Sequence, residues 1–191
     1  MSDQEVTNIE KNDEQLFRPH LKRARNFVLG DERPGLYTQI VFFTGLLITS
    51  IFGIWNTISY IILKQPLFLK RHKQVDVEAI ISLRGRELGF EGTDFYNYLE
   101  RFHLMGIVLW LCVLIGFIFL WRKQKWSAYI IIGGILLYSS IMTFLLGATY
   151  FVEDTTLFDK LSLLVLFLLV LIHHFVIGNR KIVIEEHIAE E

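Results

Sequence analysis

The sequence predicts an all-α fold: an integral membrane bundle of four helices with both termini in the cytoplasm. Three observations predict it. Four apolar runs, at 40–63, 104–121, 128–152 and 161–177, each approach or exceed the ~20 residues with which a helix crosses a hydrocarbon core of ~30 Å. Apolar residues make up 52% of the 191, and the four runs hold most of them. Lys and Arg are also unevenly placed, in the sense that sets orientation.

The spans are expected at about 38–63, 102–121, 127–152 and 158–178, within one domain over 37–181. Residues 1–36 form a cytoplasmic tail. Its first 15 residues are polar and acid-rich and are expected to be disordered. Residues 16–30 mix Leu16, Phe17, Leu21 and Phe27 with Arg18, Lys22, Arg23 and Arg25. This suits either a basic segment lying on an anionic membrane surface or an ordinary positive flank of the first helix. Pro34-Gly35 breaks the chain before the first span, which is too long for a signal-peptide core and reads as an uncleaved anchor.

An outer loop of 64–101 follows. Pro66 ends the first span, 76–88 has helical character interrupted by Gly85, and Gly89 and Gly92 mark turns. Thr93 or Asp94 is placed to cap a helix that carries Phe95, Tyr96 and Tyr98 through the interface into the second span. The second turn, Arg122-Lys123-Gln124-Lys125, is basic and flanked by Trp121 and Trp126. The third, 153–159, is acidic. An acidic tail closes the chain at 182–191. With the N-terminus inside, eleven Lys and Arg lie on inner segments and eight on outer ones. The two short turns decide the orientation, because short loops follow the positive-inside rule best.

A net charge of −1 and the lack of a basic stripe on a soluble fold exclude a nucleic-acid partner. The lone Cys112 sits mid-span and reads as a packing residue. Gly45, Thr49 and Gly53 recur at intervals of four in the first span, and Ser139, Thr143 and Gly147 do so in the third. Such stripes let helix backbones approach closely, so both are expected at helix–helix contacts. Asn56 and Thr57 are expected to hydrogen-bond within the bundle.

Ionisable groups at membrane depth are costly and therefore candidates for function. His103 and Lys160 enter the second and fourth spans from the outer face, at similar depth. Trp110 lies seven residues after His103 on nearly the same helix face, with Gly106 between them leaving room for something flat. His173 and His174 follow Lys160 by thirteen and fourteen residues, ~20 Å deeper, and cannot share a ligand with His103. A copper site from His103, Met105 and Cys112 is disfavoured, because Met105 projects off the His103 face. The bland alternative is an interfacial His, a snorkelling Lys and a His pair at a helix C-terminus.

At these residues the chain resembles a known group. Phe102-His103-Leu104-Met105-Gly106-Ile107-Val108-Leu109-Trp110 resembles the His-x6-Trp helix start of copper-resistance-D-like proteins and of small membrane-bound protoporphyrinogen oxidases. Lys160-Leu161 and His174-Phe175-Val176-Ile177-Gly178-Asn179-Arg180 resemble the fourth span of the same group. The resemblance covers about residues 100–181. It implies haem or copper handling in a bacterial inner membrane, with haem b as the cofactor, His103 as the metal ligand, and Lys160, Trp110 and Gly106 around it. Two departures stand out. A whole span precedes the His-bearing helix, and Leu111-Cys112-Val113-Leu114 continue the apolar run where the oxidases carry charged and aromatic residues, which counts against oxidase activity.

Three functions compete. The first is a haem- or copper-handling protein with an outer-face site between the second and fourth helices. The second is a non-catalytic subunit or assembly factor of a larger membrane complex, with the bilayer and other membrane subunits as partners. The third is a small transporter, disfavoured because no span carries a midplane acid or a broken half-helix.

Overall fold

The structure, a computed structural model, describes residues 34–189. The acid-rich tail and the basic segment 16–30 lie outside the described residues, as do the side chains of the acidic tail 182–191. Six helices follow one another without a strand among the described residues: α1 Leu36–Lys64, α2 Pro66–Lys73, α3 Val77–Glu87, α4 Asp94–Trp121, α5 Ser127–Glu153 and α6 Leu157–Ala189. Four are long and apolar enough to cross a membrane: α1, α4, α5 and the stretch Leu157–Val176 of α6. At 1.5 Å per residue, the 29 residues of α1 extend about 43 Å, more than a hydrocarbon core requires.

Local sequence explains the breaks. Pro34-Gly35 precedes α1 directly. Pro66 lacks the N–H that would continue α1, and it opens α2 at the first helical position instead. Asp76 caps α3 by accepting from the Ala79 N–H at 3.2 Å. Its carboxylate also takes a 2.6 Å ion pair from Lys70, and this partner is the main reason its pKa is held below the usual carboxylate range. α3 runs through Gly85 without interruption, because Gly85 lets Phe95 of α4 approach: a Cβ there would stand 2.4 Å from the Phe95 Cβ. α4 starts at Asp94, although Thr93 makes no side-chain cap.

The long helices form a ring in the order α1, α4, α5, α6, with α6 closing back onto α1. α4 is the hub, packed along its length between α1 and α5. Small residues make this fit possible. A Cβ at Gly45 would fall 2.1 Å from the Phe117 ring, one at Gly116 2.7 Å from Ile131, and one at Gly134 2.5 Å from Val113. Such contacts matter in lipid, where apolar side chains gain little by leaving the solvent.

Of the two expected stripes, the α5 one needs correction. On α1, a Cβ at Gly45 would clash with the Phe117 ring of α4, Thr49 is buried, and a Cβ at Gly53 would meet the Trp110 Cβ of α4 at an ordinary contact distance of 3.9 Å. On α5 the stripe lies off the buried face. The buried face of α5 is Ile131, Gly134, Ile135, Tyr138, Met142 and Leu146. Thr143 is exposed and bonds back to the Ser139 carbonyl, as Ser139 does to the Ile135 carbonyl. Gly147 has φ 87° and ψ 157°, so it kinks α5 near its end instead of packing. A four-residue spacing of small residues specifies a face, but here that face points away from the neighbouring helices.

The 64–93 segment folds over one end of the ring. The Arg84 guanidinium on α3 reaches Asp154 at 2.8 Å, Glu153 at 3.0 Å and Glu87 at 2.7 Å. The Asp154 and Glu153 bonds tie α3 to the α5–α6 turn, Glu87 lies on α3 itself, and together they raise the already high pKa of Arg84, with Asp154 the largest cause.

The two glycines of α1 separate packing from mere smallness. Gly45→Ala is expected to cost about 1–3 kcal/mol through overpacking against Phe117, whereas Gly53→Ala should leave the detergent melting temperature nearly unchanged. Equal midpoints for the two variants would show that Phe117 yields freely.

Candidate functional site

Only part of the candidate set comes together. Its centre is Asn56, a fully buried residue of α1. The Asn56 Nδ2 donates to the Phe52 carbonyl at 2.8 Å and lies 3.4 Å from the Tyr138 hydroxyl of α5. A carbonyl only accepts, so the amide orientation is fixed and Oδ1 faces His103 Nδ1 of α4 at 3.0 Å. In the neutral ring Nδ1 must then carry the proton, and Nε2 keeps its lone pair. Three helices thus share one polar knot.

Gly106 belongs to this knot. A Cβ there would stand 2.3 Å from Asn56 Oδ1. The room that glycine leaves is therefore taken by the Asn56 amide and not by a ligand. The Trp110 ring is also packed, although its buried indole N–H has no hydrogen-bond partner among the described residues. It is 2% exposed, stacks on Phe52 at 4.7 Å and 15°, and meets Tyr138 edge-on at 5.2 Å. Phe102 closes the cluster against Tyr138 at 5.1 Å. Beside it, a recess of about 330 Å³ opens between α1 and α4, with Thr49, Gly53, Ile107 and Trp110 among its walls.

Lys160 does not join His103. Its Nζ donates to the Val152 carbonyl at the end of α5, at 2.7 Å, and lies 5.7 Å over the Phe151 ring. α4 and α6, the second and fourth spans, stand across the ring from each other and do not pack along their length. A site between them is therefore not what the helix order provides; His103 turns to α1 instead. His173 is buried at the other end, where its Nε2 lies 3.0 Å from Thr38 Oγ1 and its ring stacks on Tyr37 at 5.7 Å. His174 instead meets Tyr129 of α5 at 5.2 Å. Met105 and Cys112 are exposed while His103 is buried, so they do not converge with it. No cluster of three His, Cys, Asp or Glu suited to a metal ion occurs among the described residues.

This packing bears on the haem that the resemblance implies. The flat space expected between Gly106 and Trp110 is filled by Asn56 and Phe52, so the proposed wall does not fit a planar ligand. Sequence reasoning missed Tyr138. The available signal was a tyrosine at the middle of an apolar run, where its hydroxyl needs a partner. Comparison of this chain with protein-family models, curated proteins and solved structures finds no match.

Asn56→Leu should destabilise the bundle by about 1–3 kcal/mol, because it strands the buried groups of His103 and Tyr138. A double-mutant cycle with His103→Phe is expected to show coupling above about 0.5 kcal/mol. Additive losses would mean that the 3.0 Å contact contributes nothing to folding.

Proposed function

We propose that the chain is a four-span integral membrane protein that serves as a non-catalytic subunit or assembly factor of a larger membrane complex. One observation carries this reading: the flat space between Gly106 and Trp110, where a planar cofactor would lie, is filled by the chain's own Asn56 and Phe52. Asn56, His103 and Tyr138, and the Thr38–His173 pair, serve to join helices, and in this reading the surface is the part that acts. In this reading both termini face the cytoplasm and the membrane is a bacterial inner membrane. Arg84 supports the even number of crossings, because it brings the 64–93 segment and the 153–159 turn to one end. The transporter reading gains nothing from Gly147, which breaks α5 six residues (~9 Å) from Glu153 and not at mid-span.

A second reading rests on His103 alone. A hydrogen bond to Nδ1 that leaves Nε2 with its lone pair is also how metal-bound imidazoles are oriented. In that reading Nε2 is a single protein ligand to haem b or copper. The two readings part in one preparation. Protein expressed with haem and copper both available should show no Soret band and no copper, and mild-detergent extracts of its own membrane should place it in a complex with other polypeptides. A Soret band abolished by His103→Ala would replace the first reading with the second. A lone 22.4 kDa species in such extracts would sink the subunit role.

Orientation is tested separately. In a Cys112→Ser background, a membrane-impermeant thiol reagent applied from outside should label Glu91→Cys and miss Gln124→Cys. The reverse pattern would invert the topology without changing the number of spans.

A further inference from the structure

The 64–93 segment carries a surface that the bundle does not use. Ile81, Leu88 and Phe90 pack against the core, whereas Leu67, Phe68, Ile80 and Leu83 do not: they are 67%, 56%, 60% and 58% exposed. Four of the eight residues of α2 are Lys70, Arg71, His72 and Lys73. Lys70 is held by Asp76. Arg71 and Lys73 are exposed and have no acidic partner among the described residues. Apolar side chains and unpaired cations thus share one short helix.

Its position decides what that helix meets. α2 begins at Pro66, two residues after α1 ends at Lys64. That end of α1 is fixed to α4 by the Tyr96 hydroxyl on the Leu63 carbonyl and by the 2.7 Å Lys64–Glu100 ion pair. Eight helical residues extend only ~12 Å. Whatever the tilt of α2, Arg71 and Lys73 stay within about a Debye length of the headgroup layer, which is itself ~5–8 Å thick. A second copy offers a poor alternative partner. Its acidic turn would be the natural complement, but Glu153 and Asp154 are already bonded to Arg84.

We propose that α2 is an interfacial anchor that binds anionic phospholipid headgroups through Arg71 and Lys73, with Leu67 and Phe68 seated at the headgroup–acyl boundary. This rests on the membrane-spanning reading and adds to it a lipid class and a face. Segments that combine exposed apolar side chains with cations bind by buried apolar area together with attraction to anionic lipid. Each cation near such a surface contributes about fivefold in affinity.

The test uses the full chain, reconstituted into vesicles of phosphatidylcholine with increasing phosphatidylglycerol. A fluorophore at His72→Cys, in the Cys112→Ser background, reports quenching by nitroxide-headgroup lipid. Quenching should rise with phosphatidylglycerol and fall with salt. In the Arg71→Gln/Lys73→Gln variant the half-maximal phosphatidylglycerol fraction should rise about tenfold or more, while Arg122→Gln/Lys125→Gln at the opposite turn leaves it unchanged. Quenching that ignores lipid charge, or that the Arg71/Lys73 variant leaves intact, overturns the proposal. So does shielding of the fluorophore that depends on protein concentration and not on lipid, which would assign the surface to a second copy. Extraction of the reconstituted protein by alkaline carbonate would instead overturn the membrane-spanning reading beneath it.

Discussion

A single buried amide organises this bundle. Helices in lipid have little to gain from apolar contact alone, so shape and hydrogen bonding must select their neighbours. Asn56 does both. Its donors are directed at the Phe52 carbonyl and the Tyr138 hydroxyl, and its acceptor takes the His103 ring, so α1, α4 and α5 meet at one residue. The glycine at 106 exists on these terms, since any side chain there would occupy the space of the amide. The aromatic cluster of Phe52, Phe102, Trp110 and Tyr138 then packs around the knot and keeps it dry.

The four long helices were legible because the signal is forced. A segment in hydrocarbon must satisfy its backbone internally, which demands about twenty apolar residues in succession. The turns were legible for a similar reason: Pro66, Gly89 and Gly92 each impose a backbone that a helix cannot continue. The arrangement of the helices was not legible. A helix bathed in lipid is apolar on every side, so hydropathy does not mark which face meets a neighbour. The Ser139, Thr143 and Gly147 spacing therefore looked like the α1 stripe, yet it lies off the buried face of α5. His103 is buried in its span, but it pairs with Asn56 of α1 and not with a residue of the fourth span. Asn56 and His103 are 47 residues apart, and no periodicity within either helix could pair them.

The two ends of the ring are held by different chemistry. At one end Thr38 and Tyr37 of α1 engage His173 of α6 by a hydrogen-bond contact and ring stacking. At the other end the contacts are ionic and lie outside the spans, where water lowers their cost. The same segment explains why the charge bias along the sequence is modest. Lys70, Arg71 and Lys73 count against an outward-facing loop, but Lys70 is paired with Asp76 and, on the proposed interfacial helix, Arg71 and Lys73 serve lipid contact.

The kink at Gly147 links these ionic contacts to the bundle. The last carbonyls of any helix need partners outside it. With φ at 87°, a conformation that glycine alone adopts without strain, the last turn of α5 takes a new direction. The Asp154 and Thr155 N–H groups then close on the Tyr150 carbonyl, and Lys160 from the start of α6 takes the Val152 carbonyl. A cation at that position also opposes the negative end of the helix dipole. Once the turn is fixed in this way, Glu153 and Asp154 are presented together to Arg84, whose planar fork can bind both. Lys160 is thus a capping residue of the α5–α6 turn, and its place at a helix entrance follows from that role without any ligand.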